Sequence, residues 1–109
     1  MSRTLRIVER ARADVDEIFN WLAQRSVRGA IAWYLAFGQA VERITAAPES
    51  CPGAPESAPL RRPLRQSLFK TRRGRMYRVV FELSDTAIIL LRVRGPGQSR
   101  LRQRELPSE

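Results

Sequence analysis

Nineteen arginines and a single lysine, Lys70, carry all the basic side-chain charge of this 109-residue chain, against eleven acids and no histidine. A guanidinium is a planar fork that pairs bidentately with carboxylate or phosphate, so this bias fits a polyanion or an acidic protein as partner. The distribution is lopsided. Residues 1–57 hold seven arginines and seven acids, whereas residues 58–109 hold thirteen basic residues and four acids, so the whole net charge of +9 lies in the second half. A GC-rich genome would explain arginine in place of lysine, but not that asymmetry. A functional basic surface is the expectation, with the strand arginines Arg78, Arg92 and Arg94 as its candidates.

Other chemistries find little support. The one cysteine, Cys51, allows no internal disulfide, and without histidine a zinc site has no usual ligand set, so no metal and no cofactor are expected. Asp14, Asp16 and Glu17 gather where a helix would start, and the macrodipole explains acids there without catalysis. The longest apolar run, Ala87 to Leu91, is far too short to cross a bilayer. The first residues contain no apolar core of a secretion signal, so a cytoplasmic protein is expected.

The elements that must position the arginines follow from periodicity. Arg75 to Gly95 reads as strand, turn at Ser84-Asp85-Thr86, strand. Pairing Leu83 with Ala87 puts Tyr77, Val79, Phe81 and Leu83 on one face with Ala87, Ile89, Leu91 and Val93. The opposite face then carries Arg78, Arg92 and Arg94 among Val80, Glu82, Ile88 and Leu90, within reach of Lys70. Thr4 to Glu9 reads as a short strand at or near the sheet edge. Ala11 to Gln24 is a helix with Ala11, Val15, Ile18, Phe19 and Leu22 on one stripe. Ser26 caps a second helix with Ala30, Tyr34, Phe37, Val41 and Ile44 on its stripe, stopped at Pro48. The short link makes the two an antiparallel hairpin lying on the sheet. Trp21 and Trp33 fall off the stripe centres, as boundary packing or as a face for a partner.

Residues 48–67 contain five prolines and read as an irregular loop, pinned by Leu60 and Leu64. Leu68 to Arg73 is the next strand, with Gly74 in a tight turn. A single domain over residues 1–98 and a polar tail over 99–109, short helix or disordered, complete the expected layout. The fold class is α+β: an N-terminal strand, a helical hairpin, then a three-stranded antiparallel meander.

That order resembles the RelE/ParE toxin family of bacterial type II toxin–antitoxin pairs. Ala13-Asp14-Val15-Asp16-Glu17-Ile18 with Trp21-Leu22 is similar to the first-helix signature. Ala32, Tyr34, Ala40, Val41, Ile44 and Pro48 are similar to the second helix and its stop. Tyr77-Arg78-Val79-Val80-Phe81 and Ile89-Leu90-Leu91-Arg92-Val93-Arg94 are similar to the last strands. The resemblance spans roughly residues 4 to 98 and implies an acidic cognate antitoxin.

Two mechanisms follow from the resemblance. RelE-like members cleave mRNA on the ribosome without a metal, which here implies Lys70, Arg72, Arg78, Arg92 and Arg94 as candidate catalytic residues. No tyrosine follows Tyr77 to match the C-terminal tyrosine of those nucleases, and Arg72 stands where they carry a second lysine. A guanidinium is a poor general base, so a proton acceptor is missing. ParE-like members inhibit DNA gyrase by binding it, and the long second helix, Pro-rich linker and Trp/Tyr-bearing hairpin resemble that branch more closely. Trp21, Trp33, Arg78, Arg92 and Arg94 are then partner-binding candidates. Arg78 and Arg92 also fit a merely solvated sheet face with Glu82 pairing one of them, and Tyr77 fits the core. A plain nucleic-acid-binding module is a third reading, weakened by the lack of aromatics interleaved with the arginines.

Overall fold

One serine turns the chain back on itself to make the helical layer. In the computed structural model, which describes residues 3–106, α1 (Glu9–Ala23) and α2 (Val27–Ala46) flank Ser26. The Ser26 hydroxyl accepts the Gly29 N–H at 3.0 Å, satisfying one of the donors a helix leaves free at its start. Pro48, without an N–H, opens a 3₁₀ turn just after α2.

The sheet beneath has four strands in the order β1-β4-β3-β2, with β1 at Thr4–Ile7, β2 at Leu64–Phe69, β3 at Tyr77–Leu83 and β4 at Ala87–Arg94. β1 lies at an edge, parallel to β4; the other pairings are antiparallel. A one-turn helix, α3 (Ser57–Leu60), precedes β2. This is the α+β arrangement expected, with the helical hairpin on one face of a mainly antiparallel sheet.

Several local expectations are corrected. The first strand stops at Ile7, because α1 already begins at Glu9. The β3–β4 register is Leu83↔Ile88 and not Leu83↔Ala87. The Ser84 hydroxyl accepts the Ala87 N–H at 3.0 Å and stabilises a turn one residue longer. A bulge then intervenes, since Val80 faces Arg92 while Phe81 faces Leu90, leaving Leu91 as the extra residue. As a result Ile88 and Leu90 pack towards the helices with Val79, Phe81 and Val93, while Leu91 packs on the far side with Val80. On α2 the buried stripe is Ala30, Trp33, Phe37, Ala40 and Ile44, and Tyr34 is exposed. Residues 33 and 34 straddle the stripe, and the larger apolar indole takes the inner position. The strand expected at Leu68–Arg73 runs from Leu64 to Phe69, so Lys70 and Arg72 sit in the loop that follows.

The second sheet face is also a core. Leu64, Val80, Leu91, Ala54, Leu101 and Leu106 form a cluster there, with Leu60 packed against it. Residues 99–106, expected as part of a polar tail, cross this face as a strap; the remainder of that tail, residues 107–109, lies outside the described residues. An apolar second face needs a cover, and the two leucines supply it. Leu101→Ala is therefore expected to destabilise the fold by about 2–5 kcal/mol in urea unfolding, as for a core leucine. A loss below about 0.5 kcal/mol, as for an ordinary surface site, would show the strap to be loosely held.

Candidate functional site

The arginine candidates meet on the strap side of the sheet, but they are not free. Arg78 stands beside Arg94 across β3 and β4, and Arg92 lies next to them opposite Val80. Each is engaged from inside the molecule. Arg92 grips Asp14 of α1 with two charge-assisted bonds, Nε to Oδ2 at 2.7 Å and Nη2 to Oδ1 at 3.0 Å. Both side chains are buried. The same Oδ2 accepts the Val93 N–H at 2.9 Å, just beyond the stretch of β4 that β1 pairs. Arg78 forks onto Glu56, with Nη1–Oε1 at 2.8 Å and a second bond from Nη2 to Oε2. Arg94 donates to the Ser99 carbonyl at 2.6 Å and lies 3.7 Å from Glu105.

These contacts also fasten the strap. Arg92 Nη1 donates to the Glu105 carbonyl at 2.9 Å, and Glu56 accepts the Leu101 N–H at 3.0 Å. The expectation that Glu82 pairs with Arg78 or Arg92 is corrected, because Glu82 bonds Arg62. Buried charges persist only when paired and hydrogen-bonded, and acids from α1 and from the Pro-rich segment reach this face to do that. Lys70 and Arg72, in the β2–β3 loop, are outside this network.

The electrostatics agree with the geometry. Burial pushes the Glu56 carboxyl up, but the Arg78 hydrogen bonds, the Leu101 N–H and the Arg78 charge outweigh it and bring the pKa down to about 2. Burial and the charge of Arg92 push Arg94 down, with Glu105 and Asp14 opposing. Tyr77 is pushed up by burial, against the charge of Arg75, and its ring lies 5.5 Å from that of Trp33 and 5.9 Å from that of Phe69. Burial likewise raises the Cys51 thiol, against the charges of Arg65 and Arg43.

An open cleft lies elsewhere, at the turn of the helical hairpin. A cleft of about 720 Å³ separates the turn of the helical hairpin from the β2–β3 loop and the end of β4. Ile18, Trp21 and Leu22 of α1 form one wall, Thr71, Arg73, Gly74 and Arg75 the other, and Trp33 with Tyr77 lies between them. Gly95 permits this shape, since a Cβ there would meet the Tyr77 ring at 2.8 Å. Gly97, at φ +82°, takes the left-handed conformation in the turn between Pro96 and Gln98, which both line the cleft.

Of the two tryptophans, Trp21 is 51% exposed, with the Arg25 guanidinium 3.7 Å from its ring centre. Trp33, which also lines the cleft, is buried among Phe37, Phe69 and Tyr77. Sequence reasoning missed Arg73 and Arg75. Their signal was the run Arg72-Arg73-Gly74-Arg75, which reads as a basic turn once β2 is ended at Phe69.

Among the described residues no group of three or more His, Cys, Asp or Glu side chains is placed to hold a metal ion, and no helix is long and apolar enough to cross a membrane. The layout is that of a small α+β protein with a laced basic sheet face and an open cleft at one end. The family model described as ParE toxin of type II toxin–antitoxin system, parDE, matches residues 5–99. The chain therefore belongs to the ParE toxin family, and membership implies an antitoxin as partner. A search of curated proteins returned no match.

The Glu56 pair has a pH signature. A carboxyl whose pKa is lower folded than unfolded adds stability above its unfolded value and loses it as pH falls through the folded one. The contribution of Glu56 is thus expected intact above pH 4.5 and lost progressively down to pH about 2. In urea titrations Glu56→Gln should be less stable than wild type near neutrality, with the gap closing across that window. A gap that stays constant down to pH about 2 would contradict the pairing.

Proposed function

We propose that this toxin arrests growth by binding DNA gyrase and blocking its cycle, and that a cognate acidic antitoxin neutralises it in the cytoplasm. The carrying observation is the state of the arginines. Arg78, Arg92 and Arg94, the residues that a ribosome-dependent nuclease would turn on a scissile phosphate, are engaged by Glu56, Asp14, Ser99 and Glu105. A phosphate would have to displace buried carboxylates to reach them. The resemblance to the nuclease branch also lacks its proton acceptor, since neither a guanidinium nor a tyrosine with a raised pKa takes up a proton readily near neutrality.

Binding has the more apt surface. Val27, Ile31, Tyr34 and Leu35 follow one another at helical spacing along the outer side of α2, and all are at least half exposed. Contiguous exposed apolar side chains of this kind are a feature of protein-contact sites. Of the two places expected for the antitoxin, the sheet face and the helical hairpin, this reading favours the hairpin, because the strap covers the sheet face.

Purified protein added to gyrase, relaxed plasmid and ATP is expected to stop supercoiling and to accumulate linear DNA. The paired replacement Arg78→Gln with Glu56→Gln removes both charges and leaves no carboxylate stranded, and it should poison gyrase as wild type does. Undiminished supercoiling with folded protein in excess over gyrase would overturn the proposal.

A further inference from the structure

The outer side of α2 carries a symmetric pattern. Leu35 lies nine residues, two and a half turns, from the fully buried Ile44, so it is on the side opposite the core, and it is 62% exposed. Ile31 and Ala32 beside it are exposed, and a Cβ at Gly38 would meet nothing within 4 Å. Glycine is costly inside a helix, and neither its backbone conformation nor a close neighbour in this chain requires one at position 38. Arg28 and Glu42 close the stripe at its two ends, each seven residues from Leu35 and each exposed. Neither side chain has an ion-pair or hydrogen-bond partner among the described residues. In a chain of net charge +9, this stripe thus carries one charge of each sign.

An exposed apolar helix face is matched by a partner whose charges fit its ends. A strongly acidic segment would gain Arg28 but meet Glu42. A nucleic-acid backbone would meet the same repulsion and gain nothing from Ile31 and Leu35. A second copy of the chain fits every feature. When two α2 helices lie antiparallel about a two-fold axis at Leu35, Arg28 of each faces Glu42 of the other, so the ion pair forms twice. Leu35 meets its own counterpart, and Ala32 faces Gly38, which lets the two helix axes come close. A parallel pair would set arginine against arginine and glutamate against glutamate, so the charges select the antiparallel arrangement.

We infer that the free protein self-associates through α2, as an antiparallel pair centred on Leu35. This goes beyond the gyrase reading and does not depend on it. Ile31 and Leu35 also belong to the contact surface proposed above, so a protein bound there competes with the second copy. Arg28 and Glu42 are the specificity elements of the pairing. An exposed ion pair adds little affinity, but reversing one charge in each copy turns two attractions into two repulsions.

Sedimentation of the full chain, purified free of other proteins, is expected to show a monomer–dimer equilibrium that shifts with concentration. Arg28→Glu should weaken dimerisation by at least about tenfold, and adding Glu42→Arg to it should bring the dissociation constant back to within about threefold of wild type. Both positions are exposed, so neither change threatens the core. Leu35→Cys in a Cys51→Ser background leaves one thiol per chain, and mild oxidation should link the dimer covalently through it. A chain that stays monomeric at every concentration would overturn the inference. So would a dimer indifferent to Arg28→Glu, a double variant that remains dissociated, or a Leu35→Cys dimer that oxidation does not link.

Discussion

The carboxylate of Asp14 is the contact on which the architecture turns. It receives the Arg92 guanidinium and the Val93 N–H together, and so ties α1 to β4 at the bulge. Without the bulge, Val93 would not return to the helix side after Leu91 has turned away, and the two cores would not share one strand. Breaking such a pair by removing one partner typically costs about 3–5 kcal/mol, a large share of a small domain's stability. Because α1 begins at Glu9, Asp14 lies beyond its first turn, where the macrodipole has faded, so the contacts with β4 rather than the helix start explain this acid.

From that contact the functional logic follows. Once Arg92 is committed to Asp14 and to the strap carbonyl at Glu105, the neighbouring Arg78 and Arg94 lie in a half-closed, strongly cationic environment. Glu56 pairs with Arg78, while Arg94 is held by the Ser99 carbonyl and Glu105 and keeps a buried Nε without a partner among the described residues. The sheet face that carries most of the strand arginines thereby becomes an internal seam between sheet and strap. Exposed arginines remain on the β2–β3 loop, next to the helical hairpin, and on the outer side of the strap at Arg100, Arg102 and Arg104. Part of the basic second half of the chain thus serves cohesion: Arg78 and Arg92 are held by acids of the first half, and Arg62 and Arg94 by groups of the second.

Much of the fold was legible in the sequence because its signals are local. Ser26 and Pro48 bracket α2, and the apolar stripe of α1 fixes the inner side of the hairpin. The β3–β4 register was not legible, because both faces of β4 are apolar and alternation gives no preference between neighbouring pairings. The arginine partners were hidden for a different reason. Glu56 lies 22 residues before Arg78, and Asp14 lies 78 before Arg92, distances over which no pattern in the chain pairs charges. The strap did leave a trace. Leu101 and Leu106 are the apolar residues in an otherwise polar segment, and Val80 and Leu91 on the second face required a cover. Of the candidate site, Trp21 and the cationic character were readable, whereas Arg73 and Arg75 became visible only when β2 was seen to end at Phe69.

If the strand arginines serve the fold and the toxin acts by binding, as proposed, the protein leaves mRNA on the ribosome uncut. The most direct test is a translation reaction programmed with a defined mRNA, supplied with this protein and analysed by primer extension for cuts. Intact message at every codon is expected, with the protein folded and in excess over ribosomes. Cuts in the message that vanish in Arg94→Ala, with the variant still folded, would contradict it and assign that arginine to catalysis.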